Sequence, residues 1–162
     1  MSSGPWTVTA HSPEETDALA RRVADVLEGG DVVLLAGDLG AGKTAFARGL
    51  GGGLGVLEPV VSPTFTLARE YHGRLRMLHV DVYRLDHVQE LLDLGLDDLG
   101  GDDAVTVVEW GDVVSHEFVP DRLEVALEFV ADEPDARRIT VSPRGVAWMA
   151  RADRLGAAVV AA

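Results

Sequence analysis

Cysteine is absent from the 162 residues, which excludes disulfides, thiolate zinc sites and cysteine nucleophiles together and suits a reducing compartment. No stretch reaches the ~18 apolar residues of a membrane span, and the opening MSSGPWTVTA has neither the basic nor the apolar region of a secretion signal. The cytoplasm is therefore the expected location. Positive charge is scarce: 14 Lys and Arg stand against 27 Asp and Glu, for a formal net charge of −13. A field of that sign repels polyanions, which argues against a self-sufficient nucleic-acid binder and for a protein partner. What is present is ordinary globular material, 47% hydrophobic and 25% charged. Residues 1–162 read as a single domain with no repeat, linker or boundary, and 150–162 read as a frayed, alanine-rich tail.

Along the chain, WTVTA at 6–10 predicts a short strand. Ser12-Pro13-Glu14-Glu15 then offers an N-cap, a first-turn proline and a capping-box glutamate. Leu19, Val23, Val26 and Leu27 continue at helical spacing to a stop at Gly29-Gly30. Asp31 to Ala36 is an apolar run of the kind found in strands covered on both faces. After it come a glycine-rich turn at 37–44 and a helix that the glycines at 49, 51, 52, 53 and 55 are expected to end. Strand-like segments at 67–71 and 75–81 flank His72-Gly73 as a hairpin. A short helix is expected over 87–94 and a buried strand over 104–108, ending at Glu109-Trp110. Strands at 123–130 and 138–142 surround a turn at Asp132-Glu133-Pro134-Asp135, and Gly145 to Leu155 reads as a last helix. This order predicts an α/β fold: a P-loop NTPase-like domain whose central mixed sheet, largely parallel with antiparallel strands, is flanked by helices.

Gly37-Asp38-Leu39-Gly40-Ala41-Gly42-Lys43-Thr44 fits the pattern G-x-x-x-x-G-K-[ST] at every fixed position. The chemistry requires these residue types. Glycines let backbone N–H groups turn around a polyphosphate, Lys43 reaches the outer phosphates, and the Thr44 hydroxyl ligates Mg²⁺. A motif that follows a buried strand and opens a helix has the context that the pattern needs. Such a site also requires a carboxylate at the end of a neighbouring strand. Glu109 ends one apolar strand, at the edge where open α/β sheets bind ligands. Asp81 ends the hairpin strand, and both remain candidates. Ser62-Pro63-Thr64-Phe65-Thr66 occupies the place of a switch segment, although such a sequence is also common turn chemistry.

Taken together and in order, GDLGAGKT, SPTFTLAREY, HVDVYRL with the following ELLDLGLDDL, and VVEW resemble the bacterial TsaE family, also called YjeE. The likeness is close over residues 6–110 and loose beyond. It implies an ATPase that supports formation of threonylcarbamoyladenosine on the tRNA adenosine next to the anticodon, acting with the TsaB and TsaD proteins and meeting tRNA only through them. It further implies that Lys43 binds phosphate, that Thr44 ligates Mg²⁺, and that Asp81 and Glu109 are metal-associated or catalytic carboxylates. Trp110 follows Glu109 as in the family. Near the nucleotide the resemblance places Asp38, Leu39, Gly40, Ala41 and Gly42 of the loop, Ser12 at the first helix, and a late arginine for which Arg137 and Arg138 compete, with Arg138 preferred. Gly111-Asp112 departs from the family, where many relatives have a proline.

No Asn-Lys-x-Asp guanine signature is present, and with the resemblance this favours ATP over GTP. The sequence also lacks an obvious arginine finger, a part worth ~10³ to 10⁵ in rate where measured, so slow intrinsic turnover is expected. A small-molecule kinase would need an arginine-bearing lid, and none is clear. A nucleotide-gated adaptor that does not depend on hydrolysis would use the same residues.

Overall fold

The structure, a computed structural model, describes residues 3–38, 40–62, 68–82, 102–109 and 121–161. In chain order, β1 (Trp6–Ala10) and α1 (Pro13–Ala24) lead to β2 (Val32–Ala36) and α2 (Lys43–Gly53). A hairpin of β3 (Ala68–His72) and β4 (Arg76–Asp81) and the strand β5 (Ala104–Glu109) come next. A second hairpin of β6 (Arg122–Val130) and β7 (Glu133–Arg144) precedes the short α3 (Val146–Met149) and α4 (Ala152–Val160). The strands form one sheet in the order β1-β7-β6-β2-β5-β4-β3. The four central strands, β6, β2, β5 and β4, run parallel, and the pairings toward both edges are antiparallel. This is the mixed α/β sheet expected from the sequence.

β2 lies at the centre because its residues are apolar on both faces. Val33 and Leu35 join the main core with Leu19, Val23, Phe46, Leu50, Val107 and Ile139, while Leu34 joins a smaller cluster with Val80, Val82 and Val108 on the opposite face. The same alternation along β4 and β5 puts Met77, Val105 and Val107 in the main core, on the side covered by α1 and α2.

Four expectations are corrected. First, α1 ends at Ala24, not at Gly29-Gly30. Its end is fixed by tertiary partners: Arg74 Nη2 donates to Ala24 O at 2.6 Å, and Asp31 Oδ2 accepts from Glu28 N at 2.7 Å in the turn that follows. Second, the glycines at 49, 51, 52 and 53 lie inside α2 instead of ending it. Close packing requires them: a Cβ on Gly49 would fall 2.6 Å from Ala20 Cβ and one on Gly53 2.5 Å from Ala24 Cβ, both on α1, and one on Gly51 would fall 2.9 Å from Val60 Cγ2. Third, Glu133, Pro134 and Asp135 belong to β7, and the turn is confined to Ala131 and Asp132, whose φ is +66°. Pro134 is accommodated where the β6–β7 register shifts at Phe129/Val130, so its missing N–H removes no regular ladder bond. Fourth, the chain end does not fray through 150–160. α4 buries Leu155 and Val159, each worth ~1.5–3 kcal/mol over exposure, and Arg22 Nε donates to Ala158 O at 2.8 Å.

The capping signal at Ser12 holds, with Ser12 Oγ accepting from Glu15 N at 3.2 Å. The Glu15 carboxylate returns one residue early, to His11 N. The helix expected over 87–94 lies outside the described residues.

Candidate functional site

At the C-terminal end of β2 the chain turns through Gly37 to Gly42 and opens directly into α2. Gly42 is the N-cap with φ +107°, a left-handed conformation that disfavours any side chain. Lys43 is 5% exposed, and its Nζ donates to Gly37 O at 2.6 Å and Asp38 O at 3.1 Å. The ammonium is thus held over the loop's own carbonyls, groups that a phosphate oxygen can replace.

The Thr44 hydroxyl, one residue into α2, lies 3.0 Å from each Glu109 carboxylate oxygen and donates to them. Strand parity brings the second carboxylate alongside. β4 and β5 are parallel with Asp81 directly opposite Glu109, and Ser62 Oγ donates to Asp81 Oδ2 at 3.1 Å. Gly40, Gly42, Lys43, Thr44, Ala45, Ser62, Asp81 and Glu109 line a cleft of about 250 Å³. One ammonium, two hydroxyls and two carboxylates therefore converge where a helix N-terminus supplies free N–H groups.

Of the other residues singled out in the sequence, Asp38 contributes its carbonyl to Lys43 and to Ala41 N, and Ala41 is buried beneath the loop. Leu39, Trp110 and residues 63–66 lie outside the described residues. Ser12 is not among the described residues lining the cleft, and its hydroxyl caps α1. Between the two arginines, Arg137 is the one brought to the loop. Its Nε donates to Ala41 O at 2.9 Å, and its guanidinium lies over the Phe129 ring at 4.6 Å. Arg138, preferred from the sequence, projects from the opposite face of β7 because adjacent strand residues alternate.

Sequence reasoning passed over His79. It is fully buried, and its Nε2 sits 2.5 Å from Glu109 Oε2. The period-two pattern in His79-Val80-Asp81 carried the signal, since it puts the histidine and the aspartate on one face of β4.

The donor set suits Mg²⁺. The hydroxyls of Thr44 and Ser62 and the carboxylates of Glu109 and Asp81 are hard oxygen ligands, and two carboxylates plus substrate phosphates are the usual environment of that ion.

Comparison with known proteins gives the family and the fold. The family described as threonylcarbamoyl adenosine biosynthesis protein TsaE matches residues 10–139. The tRNA threonylcarbamoyladenosine biosynthesis protein TsaE of Bacillus subtilis is 42% identical over 135 residues, covering 83% of each chain. Its counterpart in Streptomyces coelicolor is 46% identical over 137 residues, covering 80% of this chain and 91% of the relative. The crystal structure of YdiB from Bacillus subtilis superposes with a TM-score of 0.78 at 34% identity, covering 94% of this chain and 95% of that one. A matching family model over most of the chain, relatives above 40% identity and a shared fold leave one conclusion: the chain belongs to the TsaE family of threonylcarbamoyladenosine biosynthesis proteins.

Proposed function

We propose that this chain binds ATP with Mg²⁺ and hydrolyses it slowly, in support of threonylcarbamoyl modification of the tRNA adenosine beside the anticodon, by acting on a complex of TsaB and TsaD. The observation that carries this reading is the set of exchangeable contacts in the cleft. Lys43 rests on two carbonyls and Thr44 on Glu109, and each contact can be handed over to a phosphate or a cation. The loop N–H groups and Lys43 would hold the β- and γ-phosphates, while Thr44, Glu109 and Asp81 would hold Mg²⁺. When bound, the ion neutralises charge on the phosphoryl oxygens. One of Glu109 and Asp81 would also orient the attacking water.

No arginine is among the described residues lining the cleft, which favours slow turnover alone and completion of the site by a partner. With a net charge of −13, contact with tRNA falls to that partner. No helix among the described residues is long and apolar enough to cross a membrane, and we place the activity in the cytoplasm.

The test is ATP hydrolysis by the purified protein, alone and with TsaB and TsaD, beside Lys43→Ala. Turnover that rises with the partners and disappears in the variant supports the proposal. Partner-independent transfer of phosphate to a small acceptor would replace it with a kinase, and tRNA modification that persists in multiple rounds without hydrolysis would replace it with a nucleotide-gated adaptor.

A further inference from the structure

We infer that His79 is the positioning residue that keeps the Glu109 carboxylate aimed into the cleft while Thr44 changes partners, an inference that rests on the ATP·Mg²⁺ reading above. β4 and β5 are parallel, with His79 opposite Val107 and Asp81 opposite Glu109, so His79 lies one pleat deeper than Asp81 on the same face. From there its Nε2 approaches Glu109 Oε2 at 2.5 Å. With the carboxylate as acceptor, as it is for Thr44, the ring nitrogen that faces it serves as the donor.

The carboxylate is 3% exposed and the ring fully buried, so water is a poor substitute for either partner. Two described side chains donate to Glu109, Thr44 and His79, and they differ in one respect. Thr44 stands at the mouth of the cleft on the first turn of α2, where its hydroxyl is free to turn toward a cation. His79 stands behind the carboxylate, fully buried and not among the described residues that line the cleft. When Thr44 turns, the bond from His79 remains to fix the carboxylate's rotation, and a buried carboxylate without a donor is costly. Partners that hold a metal-binding side chain in this way typically contribute 10–100-fold in metal affinity or activity.

The experiment compares the full chain with His79→Leu, which keeps an apolar filler without a donor, and with His79→Gln, whose amide N–H reaches the position of Nε2. Binding of a fluorescent ATP analogue is titrated with Mg²⁺, and hydrolysis is measured over the same Mg²⁺ range. We expect His79→Leu to raise the Mg²⁺ needed for tight nucleotide binding by about 10–100-fold, with Mg²⁺-free binding unchanged, and His79→Gln to recover most of the loss. A residue that only fills space would lower the melting temperature and leave the Mg²⁺ requirement alone. If His79→Leu does not fold, the comparison moves to His79→Gln against His79→Asn, whose amide is too short to reach Glu109, and the same order is expected. A folded His79→Leu with the wild-type Mg²⁺ requirement, or a glutamine variant no better than the asparagine one, overturns the inference. Wild type that binds no ATP overturns the nucleotide reading itself and this inference with it.

Discussion

The two ends of β2 each hold buried charge, and they hold it differently. At the N-terminal end, Arg151 and Asp31 are 6% and 9% exposed and form a two-pronged pair, Nη1 to Oδ2 at 2.7 Å and Nη2 to Oδ1 at 2.8 Å. Arg151 Nη1 also donates to Val26 O at 3.0 Å, and the guanidinium lies over the Trp148 ring at 3.9 Å. Hydrogen bonding to Asp31 raises the arginine's proton affinity above its ordinary value. At the C-terminal end, Lys43 has two loop carbonyls, and Glu109 has a threonine hydroxyl and a histidine. The first cluster is closed, each charge matched by a fixed partner of opposite sign. The second is open: the loop carbonyls under Lys43 and the Thr44 hydroxyl on Glu109 are contacts that a ligand can displace. A buried charge alone therefore does not mark a site in this protein. What marks one is a buried charge whose partners are replaceable.

The sharpest way to break that contrast is to open the closed end. Arg151→Ala leaves Asp31 buried without its counter-charge and should cost ~3–5 kcal/mol in chemical unfolding, while the folded fraction keeps its affinity for ATP. A loss below ~1 kcal/mol would mean that the lower cluster contributes little. Neutralising the open end should do the reverse. Lys43→Ala should lower ATP turnover by ~10²–10³-fold with a smaller stability loss than Arg151→Ala, because the loop carbonyls that hold its ammonium are uncharged. A variant that loses activity and as much stability as Arg151→Ala would erase the distinction.

The helix contact that carries the loop comes next in size. Gly49→Val would overlap Ala20 Cβ and crowd Asp17 O, 3.1 Å from the new atom, and should destabilise by ~1–3 kcal/mol. It should also raise KM for ATP, since α1 and α2 can separate only by tilting the helix that begins at Lys43. The smallest effect belongs to Ser12→Ala, about 1 kcal/mol from the lost N-cap, read as a shift in melting temperature. A KM that changes beyond what that stability loss explains would add the nucleotide contact that the family resemblance implies for Ser12.

How much of this was legible in the sequence depended on where the cause of each feature lay. β2 and β5 were readable because a strand buried on both faces must be apolar throughout. The loop at 37–44 was readable because its requirements are local. Glu109 and Asp81 could be placed as strand ends, yet their direct opposition depends on the β4–β5 register, which pattern alone does not fix. The α2 glycines were misread as breakers because the reason for them lies on other elements, at Ala20 and Ala24 of α1 and at Val60. α4 was anticipated only as far as Leu155, as part of a helix from Gly145, because what holds its second half is the packing of Leu155 and Val159, a tertiary cause. Arg138 was preferred over Arg137 without knowledge of strand parity, which Ile139 and Val141 in the core would have supplied.

The central claim is that the open end of β2 is a nucleotide site, and calorimetric titration of ATP with Mg²⁺ into wild type, Lys43→Ala and Arg151→Ala tests it most directly. We predict saturable binding in wild type, the same affinity in the folded fraction of Arg151→Ala, and loss of binding in Lys43→Ala. No heat of binding in wild type, or equal affinity in Lys43→Ala, would contradict the account.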